Sequence, residues 1–177
     1  MVRTDPASIF VVDDDDLLRD LVCDGLRAAG FAPVGFPSGE ACLAALRGET
    51  PAAVVTDLTM PGLSGLETLD RIRAHHAHLP VVVLTGTTDP ATVVEAMRRG
   101  AYDFHPKPVD RTKLVTTLAN AVEKHAMAVR LASLEREVAG AGMPGMVGES
   151  PAMRELYRLI DRVAAADVSV CIHGESG

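Results

Sequence analysis

The chain has 177 residues, 47% of them hydrophobic, and its 17 basic and 24 acidic side chains give a formal charge of −7. This acidity argues against sequence-independent nucleic-acid binding, which needs clustered Lys and Arg opposite phosphates. Three widely separated cysteines without a CxxC pair argue against a disulfide framework or zinc ribbon, and no apolar run approaches the length of a membrane helix. We therefore expect a soluble cytoplasmic protein without membrane association.

Short apolar runs alternate with amphipathic stretches, the pattern of a parallel sheet covered by helices. Five βα units indicate one doubly wound α/β domain. The predicted strands are Ile9–Val12, Pro33–Phe36, Ala53–Thr56, Val81–Thr85 and Tyr102–Phe104. The predicted helices lie at 16–29, 38–47, 65–76 and 90–99, and a further helix begins at Asp110.

Several helix starts carry capping signals. Ser64 followed by Glu67 is the pattern of a capping box, and Asp89 supplies an acceptor just before a proline. In the acidic run after the first strand, Asp15 and Asp16 are assigned to the start of the first helix, with Asp16 as its N-cap.

The helix after the fifth strand is predicted to be much longer than the others, over residues 111–138. At 1.5 Å per residue it would be roughly 40 Å long. It is either a solvated linker or a coiled coil that joins two subunits; its heptads are imperfect near His125 and Ala128. We expect it to contribute to a homodimer.

A Gly-, Pro- and Met-rich stretch at 140–148 ends this helix. A short helix from Ser150 to about Ala166 and a strand at Val168–Ile172 are predicted to follow. Residues 148–177 are too few to bury a core of their own, so they are expected to be the first part of a larger domain.

Polar residues directly follow the predicted strands, at the edge where α/β proteins bind ligands. Asp13 and Asp14 follow the first strand and Asp57 the third; Thr85 ends the fourth, and Lys107 follows the fifth. Converging carboxylates repel unless a cation lies among them, and oxygen ligands alone favour Mg²⁺ over zinc. A carboxylate beside Mg²⁺ that faces a lysine and a hydroxyl is suited to phosphoryl transfer, with Asp57 as the nucleophile.

Four segments, Val11–Asp14, Thr56–Gly62, Leu84–Gly86 and Lys107-Pro108, make residues 5–125 resemble the receiver domain of bacterial two-component response regulators. The resemblance implies a flavodoxin-like five-stranded parallel sheet of order 2-1-3-4-5, with Lys107-Pro108 as a cis bond. The implied site comprises the phosphoacceptor Asp57, the direct Mg²⁺ ligand Asp14, the water-mediated ligand Asp13, the carbonyl ligand Thr59, the phosphate-binding Lys107, and the switch residues Thr85 and Phe104.

Two positions depart from the usual receiver pattern. Phe104 stands where many receivers have tyrosine, so only burial of its ring can report the active state. Gly86 replaces the alanine that usually follows the switch hydroxyl, which loosens the adjacent loop. The resemblance also implies that Thr59 and Thr87 adjust the lifetime of the phosphoryl group.

A second resemblance lies near the end of the sequence. Val147–Met153 and His173–Gly177 resemble the start of the AAA+ ATPase domain of NtrC-like, sigma-54-dependent transcription activators. This implies a receiver at 5–125, a linker helix and flexible linker at 126–147, and an incomplete AAA+ fragment at 148–177. Without a Walker A lysine, the fragment is expected neither to hydrolyse ATP nor to bind promoter DNA, although its full-length parent would do both.

We therefore expect a receiver that accepts a phosphoryl group on Asp57 from a sensor histidine kinase, with Mg²⁺ as cofactor and without repeated turnover. It would control the AAA+ domain, and hence sigma-54 RNA polymerase, through a homodimer of the fourth-helix to fifth-helix face and the linker helix. Whether phosphorylation forms or breaks this dimer stays open.

Two other classes of function compete with this prediction. One is an enzyme: a nucleotide-binding domain, or an aspartyl-phosphate phosphatase, which would need an acid where Thr59 stands. The other is a receiver-shaped interaction module that is not phosphorylated.

Other candidate residues receive structural interpretations. Histidines 75, 76 and 78 fall at a helix end away from the acidic edge and are assigned to a solvated terminus rather than a metal site. His105 lies beside the active loop and is a candidate for adjusting the response to pH. Cys23 and Cys42 are expected to be core-facing.

Overall fold

Strands and helices alternate along the chain in the computed structural model, which describes residues 6–86, 90–139 and 150–163. The elements are β1 (Ser8–Val12), α1 (Asp16–Ala28), β2 (Ala32–Phe36), α2 (Gly39–Ala45), β3 (Ala53–Asp57), α3 (Gly65–His75), β4 (Val81–Thr85), α4 (Pro90–Arg98), β5 (Asp103–Pro106), α5 (Arg111–Ala139) and α6 (Pro151–Val163).

The five strands form one parallel sheet of order β2-β1-β3-β4-β5. This confirms the doubly wound, flavodoxin-like fold. Every residue of β3 and β4 is buried, because helices cover both faces of a parallel sheet and its inner strands are apolar throughout.

The fifth strand differs from its prediction. It runs over Asp103–Pro106 rather than Tyr102–Phe104, because its polar residues break the apolar run that marked the other strands. β5 lies at one end of the sheet order, and an edge strand tolerates a proline because one side of its backbone needs no ladder bond.

Side chains of the central strands alternate between two cores, one on each face of the sheet. Ile9 and Val11 join the core that contains Cys23, whereas Phe10 and Val12 join the core that contains Cys42. The expectation that both cysteines face the core is therefore confirmed, and burial raises the pKa of Cys42 to about 12. The first core packs α1 and α5 against the sheet, and the second packs α2, α3 and α4.

Helix starts follow the predicted signals with one correction. Ser64 and Glu67 form the capping box at α3. The N-cap of α1 is Asp15, not Asp16: the Asp15 carboxylate accepts hydrogen bonds from the amides of residues 17 and 18. Asp15 has the extended backbone that an N-cap requires, whereas Asp16 is already helical. Asp89 lies outside the described residues.

The long helix predicted after the fifth strand is confirmed as α5, a single helix over Arg111–Ala139. None of the helices in the described part of the chain is both long and apolar enough to cross a membrane. The chain divides into two compact units, Met1–Ala128 and Val129–Gly177. In the second unit the helix expected from Ser150 is present as α6, and the stretches predicted at 140–148 and 168–172 lie outside the described residues.

Candidate functional site

Three carboxylates meet at the carboxyl ends of β1 and β3. Oxygen atoms of Asp13, Asp14 and Asp57 all lie within 4.8 Å of one another. Asp13 and Asp57 are 1% and 5% exposed, while Asp14 is exposed. The sheet order explains this meeting, because β1 and β3 are hydrogen-bonded neighbours whose ends lie side by side.

Lys107, in the loop after β5, contributes a cation to this cluster. Its Nζ lies 2.8 Å from Asp57 Oδ2 and 3.0 Å from Asp13 Oδ2. Its backbone amide donates to the carbonyl of Thr85 over 2.8 Å, and the Lys107-Pro108 bond is cis as expected. Burial lowers the pKa of Lys107, but hydrogen bonds and charge attraction from both aspartates outweigh burial, so the net shift is upward.

Asp13 is held on both carboxylate oxygens. The Asp15 amide donates to Oδ1 over 3.0 Å, and Lys107 donates to Oδ2. Burial raises the pKa of Asp13, and these donors offset only part of that effect. Among the described residues, a single lysine contacts this cluster of three carboxylates.

The second oxygen of Asp57 differs from the first in its surroundings. Asp57 Oδ1 is buried and without a partner among the described residues. A buried carboxylate oxygen without a donor is costly, and a bound cation removes that cost. A carboxylate-rich set without nitrogen or sulfur fits a hard ion such as Mg²⁺.

The remaining predicted site residues differ in how far they are exposed. Thr85, at the end of β4, is 1% exposed, and Phe104 on β5 is 37% exposed. Thr59 is exposed in the loop between β3 and α3. Thr87 lies outside the described residues.

A glycine that the sequence did not single out shapes the Asp57 loop. A Cβ at Gly65 would lie 2.0 Å from the carbonyl oxygen of Asp57, so α3 can begin there only without a side chain. The signal that could have found it is a glycine directly after the N-cap Ser64, a helical position where glycine is otherwise disfavoured.

The four candidate histidines lie at or just after the end of α3, or on β5. α3 ends at His75, and His76 is its C-cap; His75 and His78 are exposed. His105 is buried and hydrogen-bonded to the Thr117 hydroxyl over 3.0 Å. Burial lowers the pKa of His105, against an upward effect of nearby carboxylates.

A parallel sheet of order 2-1-3-4-5, with an acidic cluster and a lysine at the carboxyl ends of its strands, defines a receiver domain. The sequence matches the response regulator receiver domain family over residues 9–119. The chain belongs to this family.

Curated relatives confirm the expected resemblance to NtrC-like regulators. The chain is 35% identical to the DNA-binding transcriptional regulator NtrC of Salmonella typhimurium, covering 96% of this chain and 35% of that protein. It is 36% identical to the C4-dicarboxylate transport transcriptional regulatory protein DctD of Rhizobium meliloti, covering 96% and 37%. The chain thus spans about a third of the length of the curated relatives it matches.

The chain is also similar to solved structures of NtrX and of a receiver domain. The crystal structure of NtrX from Brucella abortus has a TM-score of 0.69 and 36% identity, covering 90% of this chain and 35% of that one. A receiver domain protein from Clostridium thermocellum has a TM-score of 0.66 and 28% identity, covering 69% and 98%.

Proposed function

We propose that Asp57 accepts a phosphoryl group from the phosphohistidine of a sensor histidine kinase in a Mg²⁺-dependent reaction. The observation that carries this proposal is the asymmetry of the Asp57 carboxylate. Lys107 holds Oδ2 at 2.8 Å, while the buried Oδ1 has no donor among the described residues. Such a carboxylate is oriented and still free to bind a cation or an electrophile.

In the proposed reaction an Asp57 oxygen attacks phosphorus, and the bond from phosphorus to the donor imidazole breaks. The imidazole leaves with that electron pair and takes a proton. Bound Mg²⁺, held by Asp13, Asp14, Asp57 and the Thr59 carbonyl, would neutralise the charge on the phosphoryl oxygens.

Lys107 and the Thr85 hydroxyl contact the other phosphoryl oxygens in the product. Lys107 already carries a full charge beside Asp57, and the Thr85 side chain lies at the end of the neighbouring strand. No general base is assigned to the site, so Asp57 acts as an acceptor that is used once per phosphoryl group rather than as a turnover catalyst.

The output is proposed to run through β4 and β5. A phosphoryl group adds about −1.5 to −2 charges, which draws the Thr85 hydroxyl toward it. Phe104 lies on the adjacent strand and is 37% exposed, so its ring can then pack inward. Unlike the tyrosine of many receivers, it has no hydroxyl group to bury. Two apolar residues of α4, Val94 and Met97, are also exposed. Their exposure supports a homodimer of the α4 to α5 face and the linker helix.

The wider organisation is also a proposal. We assign 5–125 to the receiver, 126–147 to the linker helix and flexible linker, and 148–177 to the start of an AAA+ domain. In a longer cytoplasmic protein, the dimer would control this ATPase and its action on sigma-54 RNA polymerase at DNA. Similarity to transcriptional regulators over nearly all of the present chain supports this arrangement.

Intact-mass spectrometry after incubation with a small phosphodonor tests the acceptor. We expect one added phosphoryl group in the presence of Mg²⁺, none with chelator, and none in Asp57→Asn. Asp20→Asn, an exposed aspartate of α1, is the matched control and should be labelled normally. An unlabelled parent chain, or equal labelling of Asp57→Asn, would leave the unphosphorylated interaction module as the better reading.

Sedimentation tests the dimer. We expect the association constant of the chain to change when a phosphoryl mimic is added with Mg²⁺, and Met97→Asp to weaken the associated form. The direction of the change decides whether phosphorylation forms or breaks the dimer. An association constant that responds to neither perturbation would remove this face from the proposal.

A further inference from the structure

The side chain of Arg19 reaches back from α1 to the loop that carries the acidic cluster. Its Nη1 donates to the main-chain carbonyl of Asp13 over 2.8 Å, and its Nη2 contacts the carboxylate of Asp16. Only 15% of the Arg19 side chain is exposed. The guanidinium therefore joins the main chain before Asp14 to the first turn of α1.

With Arg19, the amide, the carboxylate and the carbonyl of Asp13 are all hydrogen-bonded. The Asp13 amide donates to the carbonyl of Phe36 over 3.2 Å, which ties the loop to β2. The carboxylate is held by Asp15 and Lys107. The Asp13 carbonyl is then held from the α1 side by Arg19, and loss of that donor would release the peptide that links Asp13 to Asp14.

Strand β2 leaves room for the Arg19 side chain. A Cβ added at Gly35 would lie 3.2 Å from Arg19 Cδ and 3.3 Å from Cγ and Nε. The aliphatic part of Arg19 therefore lies against the backbone of β2 at the position where a side chain is missing. A side chain at position 35 would crowd the arginine in the conformation that reaches Asp13.

We infer that Arg19 is a positioning residue for the magnesium ligands Asp13 and Asp14. The inference rests on the proposed function, because it concerns the same metal site. It is opposed by simple electrostatics, since a cation beside an anionic site weakens the binding of a second cation. Charge alone and positioning therefore predict opposite signs when the guanidinium is removed.

Calorimetric titration of the chain with Mg²⁺ separates the two effects. If Arg19 acts by positioning, Arg19→Gln weakens Mg²⁺ binding about tenfold, the lower end of the effect of residues that orient metal ligands. If it acts only by charge, Arg19→Gln tightens binding. The matched control is Arg27→Gln, because Arg27 forms the same i,i+3 pair with Asp24 on α1, at 2.6 Å, but is 59% exposed; it should bind Mg²⁺ as the parent chain does.

Two milder variants cover the case in which Arg19→Gln does not fold. Arg19→Lys keeps the charge but not the forked contact with Asp13 and Asp16. Gly35→Ala crowds the Arg19 side chain, which must shift by a few tenths of an ångström, and alters no acidic residue. Both are expected to weaken Mg²⁺ binding by less than Arg19→Gln. Circular dichroism and thermal unfolding establish that each variant is folded.

The inference is overturned if folded Arg19→Gln binds Mg²⁺ as tightly as the parent chain or more tightly. It is equally overturned if Arg19→Gln is unfolded and the two milder variants bind normally. A parent chain that binds no Mg²⁺ would instead contradict the proposed metal site itself. The two failures are distinguishable, because in the first case the parent chain still binds Mg²⁺.

Discussion

Replacing Lys107 with methionine is expected to destabilise the metal-free chain and yet tighten its binding of Mg²⁺. The ammonium group lies 2.8 Å from Asp57 and 3.0 Å from Asp13, which are the carboxylates assigned to the metal. Lysine and a bound metal would therefore neutralise the same charges, and each would make the other less necessary.

The distances give the scale of both effects. At an effective dielectric of 20, charges 2.8 to 3.0 Å apart attract by roughly 5.5 to 6 kcal/mol. Carboxylate oxygens no more than 4.8 Å apart repel by at least about 3.5 kcal/mol on the same scale. Desolvation cancels much of this, and breaking a buried ion pair costs about 3–5 kcal/mol in practice. Because the Lys107 side chain is 21% exposed, we expect a loss of about 3 kcal/mol at neutral pH, at the lower end of that range.

Lys107→Met should lower the dissociation constant of Mg²⁺ at least about tenfold, equivalent to about 1.4 kcal/mol. Its phosphoryl uptake should nevertheless fall, because the lysine is also proposed to contact the transferred group. The loss of metal-free stability should shrink as the pH falls toward 4. Burial raises the pKa of Asp13 above 3.8 in the folded chain. Protonation of Asp13 therefore stabilises the folded state at low pH, and this stabilisation is lost as the pH rises through the folded pKa. A protonated Asp13 has less need of the lysine.

Urea unfolding in chelator and in Mg²⁺, together with calorimetric titration, measures these quantities. Lys113→Met is the matched control, since Lys113 is 75% exposed and 3.8 Å from Asp110; it should change neither quantity. A Lys107→Met chain as stable as the parent in chelator, or one that binds Mg²⁺ more weakly, would refute the view that lysine and metal compensate the same charge.

Other perturbations test the surrounding architecture. Gly65→Ala should lower the free energy of unfolding by about 3 kcal/mol, since its Cβ would lie 2.0 Å from a carbonyl oxygen. The control Gly48→Ala has its nearest contact at 3.9 Å and should change this free energy by no more than about 0.5 kcal/mol. Urea unfolding midpoints measure both. Ser64→Ala should cost about 1 kcal/mol. It should also flatten the pH dependence of stability near pH 4.5: hydrogen bonds from Ser64 lower the pKa of Glu67, so that contribution is present above 4.5 and lost as the pH falls through the folded pKa. Burial lowers the pKa of His105 below 6.5, so thermal stability should fall as the pH drops below 6.5, and His105→Phe should remove this slope.

The strands that position the site were predictable because they are buried on both faces. β4 was predicted at its observed bounds, and β3 to within one residue. β5 was displaced because its composition is that of a half-exposed edge: Asp103 and His105 face α5, where Thr117 bonds to both. A run of apolar residues in a sequence indicates a buried strand. A strand whose polar side chains are hydrogen-bonded to a helix has no such run, so its bounds are harder to predict.

The first helix shows where local signals become ambiguous. Four consecutive aspartates offer several possible N-caps, and charge alone favours any of them near a helix start. The choice of Asp15 depends on the path of the chain out of β1. Asp13 accepts the Asp15 amide, which leaves Asp15 in an extended conformation and makes Asp16 the first helical residue.

The acidic cluster itself followed from topology, whereas its supports did not. Asp57 is the last residue of its strand, and Asp13 and Lys107 directly follow theirs. The carboxyl ends of all strands in one parallel sheet lie along the same edge, which brings these residues together. Arg19 lies in the interior of a helix, where an arginine is usually solvated, and Gly35 lies in a strand where glycine is merely unfavourable. Only the reach of the arginine across the strand relates the two, so residues that hold the ligands are visible only once the distances are known.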